Sequence, residues 1–387
     1  MNDMPRTPRI TSRLPAVGTT IFSVMSALAT KHEAVNLGQG FPDFDGDPAL
    51  VSAVASAMQR GFNQYPPMPG VLSLREAIAQ KIEQLYGHAY DPGSEITVTA
   101  GATQGILTAI LALVHPGDEV IVFDPCYDSY DPNIVLAGAT AVHVPLTPRS
   151  FKPDFERLRA ALSPRTRAVI VNTPHNPSGS VWGADDMQQL ANLLRPTDVI
   201  VIADEVYEHM VYDGHRHQSV ARHPELAARS VVVSSFGKTY HVTGWKVGYV
   251  AAPASLSAEF RKVHQFNVFT VNTPMQYGLA EYMADPEPYL ALSDFYQRKR
   301  DLFRAGLAGT RLDLLPVAGT YFQCVDYSAV SDLSEDAFCR WLTTEVGVTA
   351  IPLSAFYADG REQRLARFCF AKKDSTLELA LERLSRL

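Results

Sequence analysis

The chain has 387 residues, 46% of them hydrophobic and 19% charged, which suits a soluble globular protein with one large core and a second, smaller unit. Its 34 Lys and Arg against 41 Asp and Glu leave a net charge of −7; the basic residues are scattered, which argues against nucleic-acid binding. The start, MNDMPRTPRITSRLP, has no signal-peptide core, and no window holds the about eighteen apolar residues of a membrane span, so a cytoplasmic protein without membrane contact is expected.

In chain order, a short helical run at 21–30 is followed by AVNLGQGFPDFDGDP, where Gly38 and Gly40 let backbone amides approach a ligand. Helical periodicity covers 48–60 and 72–86, the second with Ser73 and Glu76 as a capping-box pair. The loop between them, GFNQYPPMPG, is stiffened by three prolines and carries Tyr65.

From Ser94 a beat of strand and helix sets in: ITVTAG, EVIVFDP, AVHVPL, AVIVNTPHNPSG, VIVIADEVYE and SVVVSSFGK, with helical stretches between most of them. Apolar strands without polar alternation predict a doubly wound α/β domain with a mainly parallel sheet covered on both faces. Ligands of such sheets bind beyond the carboxyl ends of the strands. The polar residues gather there: Gly101, Ala102 and Thr103, then Tyr127, then Asn172 and Asn176, then Asp204 and Tyr207, then Ser235 and Lys238.

Beyond Val250 the beat stops. Helices are expected at 258–266 and, as one long amphipathic element, at 288–308; TYFQCVDYS, a helix at 335–346, VTAIPL, RFCFA and a helix at 376–387 read as a small α+β unit. The expected division is a large domain at 46–285 and a small one from 1–45 and 286–387. Four cysteines, Cys126, Cys324, Cys339 and Cys369, are far apart without metal-like spacing and read as reduced, structural thiols.

The organising stretch is SVVVSSFGKTYHVTGWKVGYVAA, Ser230 to Ala252. It sets Lys238 just past a buried strand, with a second strand expected at 245–250. Partly dry surroundings disfavour an ammonium and free the amine as nucleophile or base. A lysine at a strand end is ordinarily a surface lysine. Here it has Ser234, Ser235, Gly237, Gly244 and Lys246 for company, the parts of an anion cradle. An amine beside a phosphate site suits a cofactor that carries both an aldehyde and a phosphate. Asp204 is the candidate to keep a cofactor ring nitrogen protonated, and Tyr207 and Asn176 can bond a ring oxygen. Tyr127 can lie on the ring face. Arg367, flanked by apolar residues in LARFCFA, is the candidate planar fork for a substrate carboxylate.

From NLGQGFPDF through NQY, TAGATQ, DPCYDSY, NTPHNPSG, ADEVYE and SSFGKTYHVTGWKVGY to RFCFAKK, the chain resembles the fold-type I, class I aminotransferases, nearest the methionine aminotransferase and kynurenine/glutamine transaminase subgroup. The resemblance implies that Lys238 bears pyridoxal 5'-phosphate, with Asp204, Tyr207, Asn176 and Tyr127 around its ring. It implies phosphate contacts from Gly101, Ala102, Thr103, Ser235 and Lys246, with Arg367 and Gly40 on the substrate carboxylate. It also implies a homodimer in which Tyr65 reaches the partner's site. Many relatives carry arginine where Lys246 stands. Where aspartate-specific relatives take a second arginine from the partner, 266–271 here reads FNVFTV, and Phe22, Phe269 and Phe356 are expected to help line an apolar pocket. The expected reaction moves the amino group of methionine, and secondarily of aromatic amino acids, to a 2-oxo acid. The alternative is a pyridoxal-dependent carbon–sulfur β-lyase. No metal is expected.

Overall fold

The computed structural model describes residues 10–387; the first nine positions of the N-terminal stretch and of the expected small domain lie outside the described residues. A helix over Ile21–Lys31 leads into β1 (Val35–Asn36), and helices Pro48–Gln59 and Leu72–Tyr86 follow. Then come β2 (Ile96–Thr99), β3 (Glu119–Asp124), β4 (Thr140–Pro145), β5 (Thr166–Asn172), β6 (Ile200–Asp204), β7 (Ser230–Ser235) and β8 (Gly248–Ala251). These seven form one sheet in the order β2-β8-β7-β6-β5-β3-β4. Strands β7, β6, β5, β3 and β4 run parallel, and β8 runs antiparallel to both of its neighbours.

The reason is legible in burial. Every residue of β2, β3 and β8 is buried, and β5, β6 and β7 each depart at a single position. Strands covered on both faces have no need of alternation. Only β4, at one edge of the sheet, is mostly half-buried along its length. Because β7, β6, β5, β3 and β4 are parallel, their carboxyl ends share one rim, and the site stands there.

The rest of the chain builds a second sheet. Strands β9 (Asp313–Leu314), β10 (Phe322–Asp326), β11 (Val348–Thr349), β12 (Ile351–Pro352) and β13 (Leu365–Cys369) follow in sequence. Four of them pair antiparallel in the order β12-β13-β10-β9, while β11 pairs in parallel with β1. All four cysteines are free and buried. Among the described residues no helix is long and apolar enough to cross a membrane.

Several local expectations are corrected. The helix at 72–86 starts from Val71, which puts Ser73 inside the first turn, so no side chain caps it and the Ser73–Glu76 box does not form. The long helix expected at 288–308 is two, Glu287–Leu290 and Leu292–Leu307, meeting at Ala291. The strand expected at 245–250 begins only at Gly248, because Thr243–Trp245 is a 3-10 turn and Lys246 is left-handed, with φ 55°. An unforeseen helix spans Thr273–Tyr282; its signal was present in Asn272, whose side chain accepts from the Met275 amide, and in Pro274 in the first turn.

Candidate active site

Lys238 lies in a one-turn helix, Phe236–Thr239, directly after β7. Its Nζ donates to the Gly40 carbonyl at 3.1 Å and to the Tyr321 hydroxyl at 2.7 Å. Burial pushes its amine down to about 8, a tendency that Cys369 opposes and Arg367 assists. A usable fraction of free amine therefore exists near neutral pH.

Asp204 closes β6, the strand beside β7, in register with Val233. It is buried, which raises its carboxyl to about 6 against the pull of hydrogen bonds from the Tyr130 hydroxyl, at 2.7 Å, and the Val206 amide. The carboxylate is thus costly to charge unless a cation is brought to it. Asn172, the last residue of β5, ties two elements of the site together. Its Nδ2 donates to the Asp204 carbonyl at 2.9 Å, and its Oδ1 accepts from the Asn176 amide at 2.8 Å.

Arg367, in β13, is almost wholly buried. One guanidinium nitrogen donates to Asn176 Oδ1 at 2.8 Å and another to the Gly38 carbonyl at 3.1 Å, while Nε is buried without a partner among the described residues. Phe322 lies 4.0 Å from the guanidinium carbon, Phe356 4.9 Å and Phe22 5.4 Å. Rings on several sides hold a cation of this kind without neutralising it. Asp128, on the same cavity wall, is raised by burial against the pull of Arg367.

At the other end of the cavity the helix Gly101–Leu113 begins, with no side chain capping its first turn. Its open amides and dipole favour an anion. Gly101 has φ +79°, and a Cβ built there would stand 3.5 Å from Lys246 Nζ, so the second lysine reaches this helix start. Tyr127 is raised by burial, opposed by a hydrogen bond with Thr103.

These groups share one cavity of about 410 Å³. It brings together Lys238, Asp204, Tyr207, Gly101, Ala102, Thr103, Tyr127, Asn176, Ser235, Lys246, Gly40, Arg367 and Phe22. It does not include Tyr65, which is 81% exposed and meets Phe269 edge to face at 5.2 Å. Phe269 keeps company with Tyr65 on the surface and lines no part of its own chain's cavity, and Phe356 packs behind Phe22 with ring centres 5.8 Å apart. Phe322 and Gln39 line the cavity instead, and Tyr321 and Tyr130 touch its reactive groups.

A family model described as aminotransferase class I and II matches residues 32–384. A solved Escherichia coli structure, reported with a methionine aminotransferase function, is 56% identical with TM-score 0.97, covering 99% of this chain and 100% of that one. The N-succinyldiaminopimelate aminotransferase structure from Mycobacterium tuberculosis is 43% identical with TM-score 0.94, covering 98% and 100%. The human kynurenine–oxoglutarate transaminase 1 is 35% identical, with 93% of each chain covered.

Proposed function

Since the chain belongs to the class I and II aminotransferases, we propose that it moves the α-amino group of an apolar amino acid, methionine first and aromatic amino acids second, to a 2-oxo acid. The observation that carries this reading is the meeting of a lysine amine, a buried carboxylate and an aromatic-lined arginine fork in one cavity. The full-length likeness to a methionine aminotransferase supports the substrate class.

The family implies pyridoxal 5'-phosphate, and the donor set fits it. An uncapped helix start with Lys246 beside it suits a phosphate, a partly dry amine suits an aldehyde, and a buried carboxylate lacking a cation suits a protonated ring nitrogen. The residues that would hold it are Lys238 covalently, Asp204 at the ring nitrogen, and Asn176 with Tyr207 at the ring oxygen. Tyr127 would cover the ring face, and Gly101, Ala102, Thr103, Ser235 and Lys246 would bind the phosphate. Bound there, the cofactor supplies an electron sink for the carbanion left when the substrate's α proton departs.

The chain's own residues do the rest. Arg367 binds the substrate carboxylate through paired N–H donors, with Gly40 beside it. With Asn176 Oδ1 already taken by Arg367, what Asn176 offers a ligand is its NH2 group. Lys238 Nζ takes the proton from the substrate's α carbon and can return it, which its lowered basicity favours. Phe22, Phe322 and Tyr127 exclude water and offer an apolar wall to the substrate side chain.

The division into a large unit at 46–285 and a small one from 1–45 with 286–387 is supported by the sheets, since the seven-stranded one falls wholly in the first and the others in the second. A homodimer is part of the proposal: exposed Tyr65, Phe266 and Phe269 are apolar groups suited to a second copy, and Tyr65 of the partner subunit would complete the phosphate site. Four free buried thiols accord with a cytoplasmic protein. The test is an absorbance spectrum of the purified protein followed by a panel of amino donors. A yellow chromophore that bleaches with methionine is expected, with about one equivalent of 2-oxo acid per site when no acceptor is present and continued turnover only when one is added. Pyruvate and ammonia released from cystathionine without an acceptor would overturn transamination in favour of β-elimination.

A further inference from the structure

Tyr321 immediately precedes β10 and is fully buried. Its hydroxyl accepts from Lys238 Nζ at 2.7 Å and donates to the Gly40 carbonyl at 2.7 Å, while Lys238 Nζ also donates to that carbonyl at 3.1 Å. The three groups close a triangle that joins residues far apart in the chain. Committing the phenol proton to Gly40 leaves the oxygen lone pairs turned to the amine. The ring itself has little freedom, since it meets Tyr207 edge to face at 5.2 Å, Phe322 at 4.9 Å and Tyr296 at 5.6 Å.

A lysine amine on its four-carbon stem is otherwise mobile, with about 2 kcal/mol of rotamer entropy. We propose that Tyr321 is a positioning residue for Lys238: its phenol oxygen accepts a hydrogen bond from the free amine and holds it at one point in the cavity whenever the lysine is released. The inference rests on Lys238 being the reactive amine of the proposed transamination. It adds to that reading a berth for the lysine, built from the second sheet and pinned by Gly40. Holding the amine in place matters because misplacing a reacting group by about 1 Å costs on the order of a hundredfold in rate.

The test is Tyr321→Phe, which keeps the ring and removes the acceptor. In the full-length chain freed of cofactor, pulse labelling of Lys238 with acetic anhydride across pH, read by peptide mass spectrometry, should shift to lower pH. An ammonium that loses an acceptor is less stable, so labelling at pH 7 should rise at least about threefold. In the loaded enzyme kcat with methionine should fall about tenfold to a hundredfold, with KM within about twofold because Arg367 is untouched. Site-specific 3-fluorotyrosine at 321 keeps the packing and weakens the acceptor, and should move both readouts in the same direction by less; it serves if the phenylalanine variant does not fold. A labelling profile identical to that of the parent in both variants overturns the proposal, whatever happens to kcat. Borohydride reduction of the parent enzyme, followed by peptide mapping, separates the two readings. A cofactor mark on another lysine overturns the transamination scheme itself, whereas a mark on Lys238 with unchanged labelling in the variants overturns only the role of Tyr321.

Discussion

Arg367 and Asn176 are joined by a 2.8 Å hydrogen bond that runs from β13 of the four-stranded sheet to the loop leaving β5 of the seven-stranded one. The same guanidinium also bonds the Gly38 carbonyl, so three separate segments of chain set its angle.

Arg367→Lys should therefore cost more than a change of charge geometry. A point charge cannot offer two parallel donors to a carboxylate and would also release Asn176. Loss of one charge-assisted hydrogen bond, about 1.5 to 3 kcal/mol, predicts a fall of roughly tenfold to a hundredfold in kcat/KM. Steady-state kinetics with methionine at fixed 2-oxo acid measures it. A value equal to that of the parent would remove Arg367 from substrate binding.

Asp204→Asn should act in opposite directions on stability and activity. Burial raises the Asp204 carboxyl from 3.8 to about 6. In the cofactor-free chain that raised group contributes stability which is full below about pH 4 and lost as pH climbs through 6. The asparagine variant escapes the loss, so at pH 7 it should be more stable than the parent by up to about 3 kcal/mol, a difference that vanishes below pH 4. Urea midpoints across pH read this out. With cofactor bound the order reverses in function, because asparagine cannot hold a ring cation, and kcat should drop at least about a hundredfold.

Lys81→Met tests the buried support beneath the rim. Lys81 Nζ donates to Glu208 Oε1 at 2.7 Å and to the Tyr249 hydroxyl at 2.8 Å, and Ser234 and Tyr86 donate to the same carboxylate. Burial works upward on Glu208, yet Lys81, His209 and the Ser234 hydroxyl hold its carboxyl well below the usual range. Removing the lysine strands a charge one residue from Tyr207, and a loss of about 3 to 5 kcal/mol is expected by denaturant titration. The pair Lys81→Met with Glu208→Gln should recover part of it; no recovery would mean the ion pair is not the source of the loss.

Subunit mixing tests the homodimer. Lys238→Ala and Tyr65→Ala homodimers should each be nearly inactive. A hybrid carries both lesions in one site and neither in the other. Random reassortment should restore about a quarter of the parent activity, measured after mixing under mild denaturant and dialysis. No recovery would mean that Tyr65 serves its own chain's site or none.

Much of this site was legible from sequence because each buried parallel strand announces its own carboxyl end. Gly101, Tyr127, Asn176, Asp204 and Lys238 each follow a run of apolar residues, and sheet geometry then requires them to meet. Tyr321 gave no such cue. It stands in TYFQC, where an aromatic before a strand reads as core, and only the tertiary fold turns its hydroxyl to Lys238. Tyr130 escaped for a related reason, since the carboxylate it bonds, Asp204, lies on another element far along the chain. The break at Ala291 carries neither glycine nor proline, so helical periodicity ran straight across it. Phe269 stands outside its own chain's cavity, because apolar character alone does not distinguish a pocket wall from a surface that awaits another chain.

The parallel pairing of Val35 with Val348 has a bearing on how the chain is born. A ribosome extending at about 5 to 20 residues per second releases the first of these strands roughly a quarter of a minute to a minute before the second exists. Throughout that interval Gly38 has no Arg367 to meet, and for most of it Gly40 has no Tyr321. A nascent polypeptide halted before Arg367 is thus inert however well its large sheet has folded, and competence arrives as a single late event.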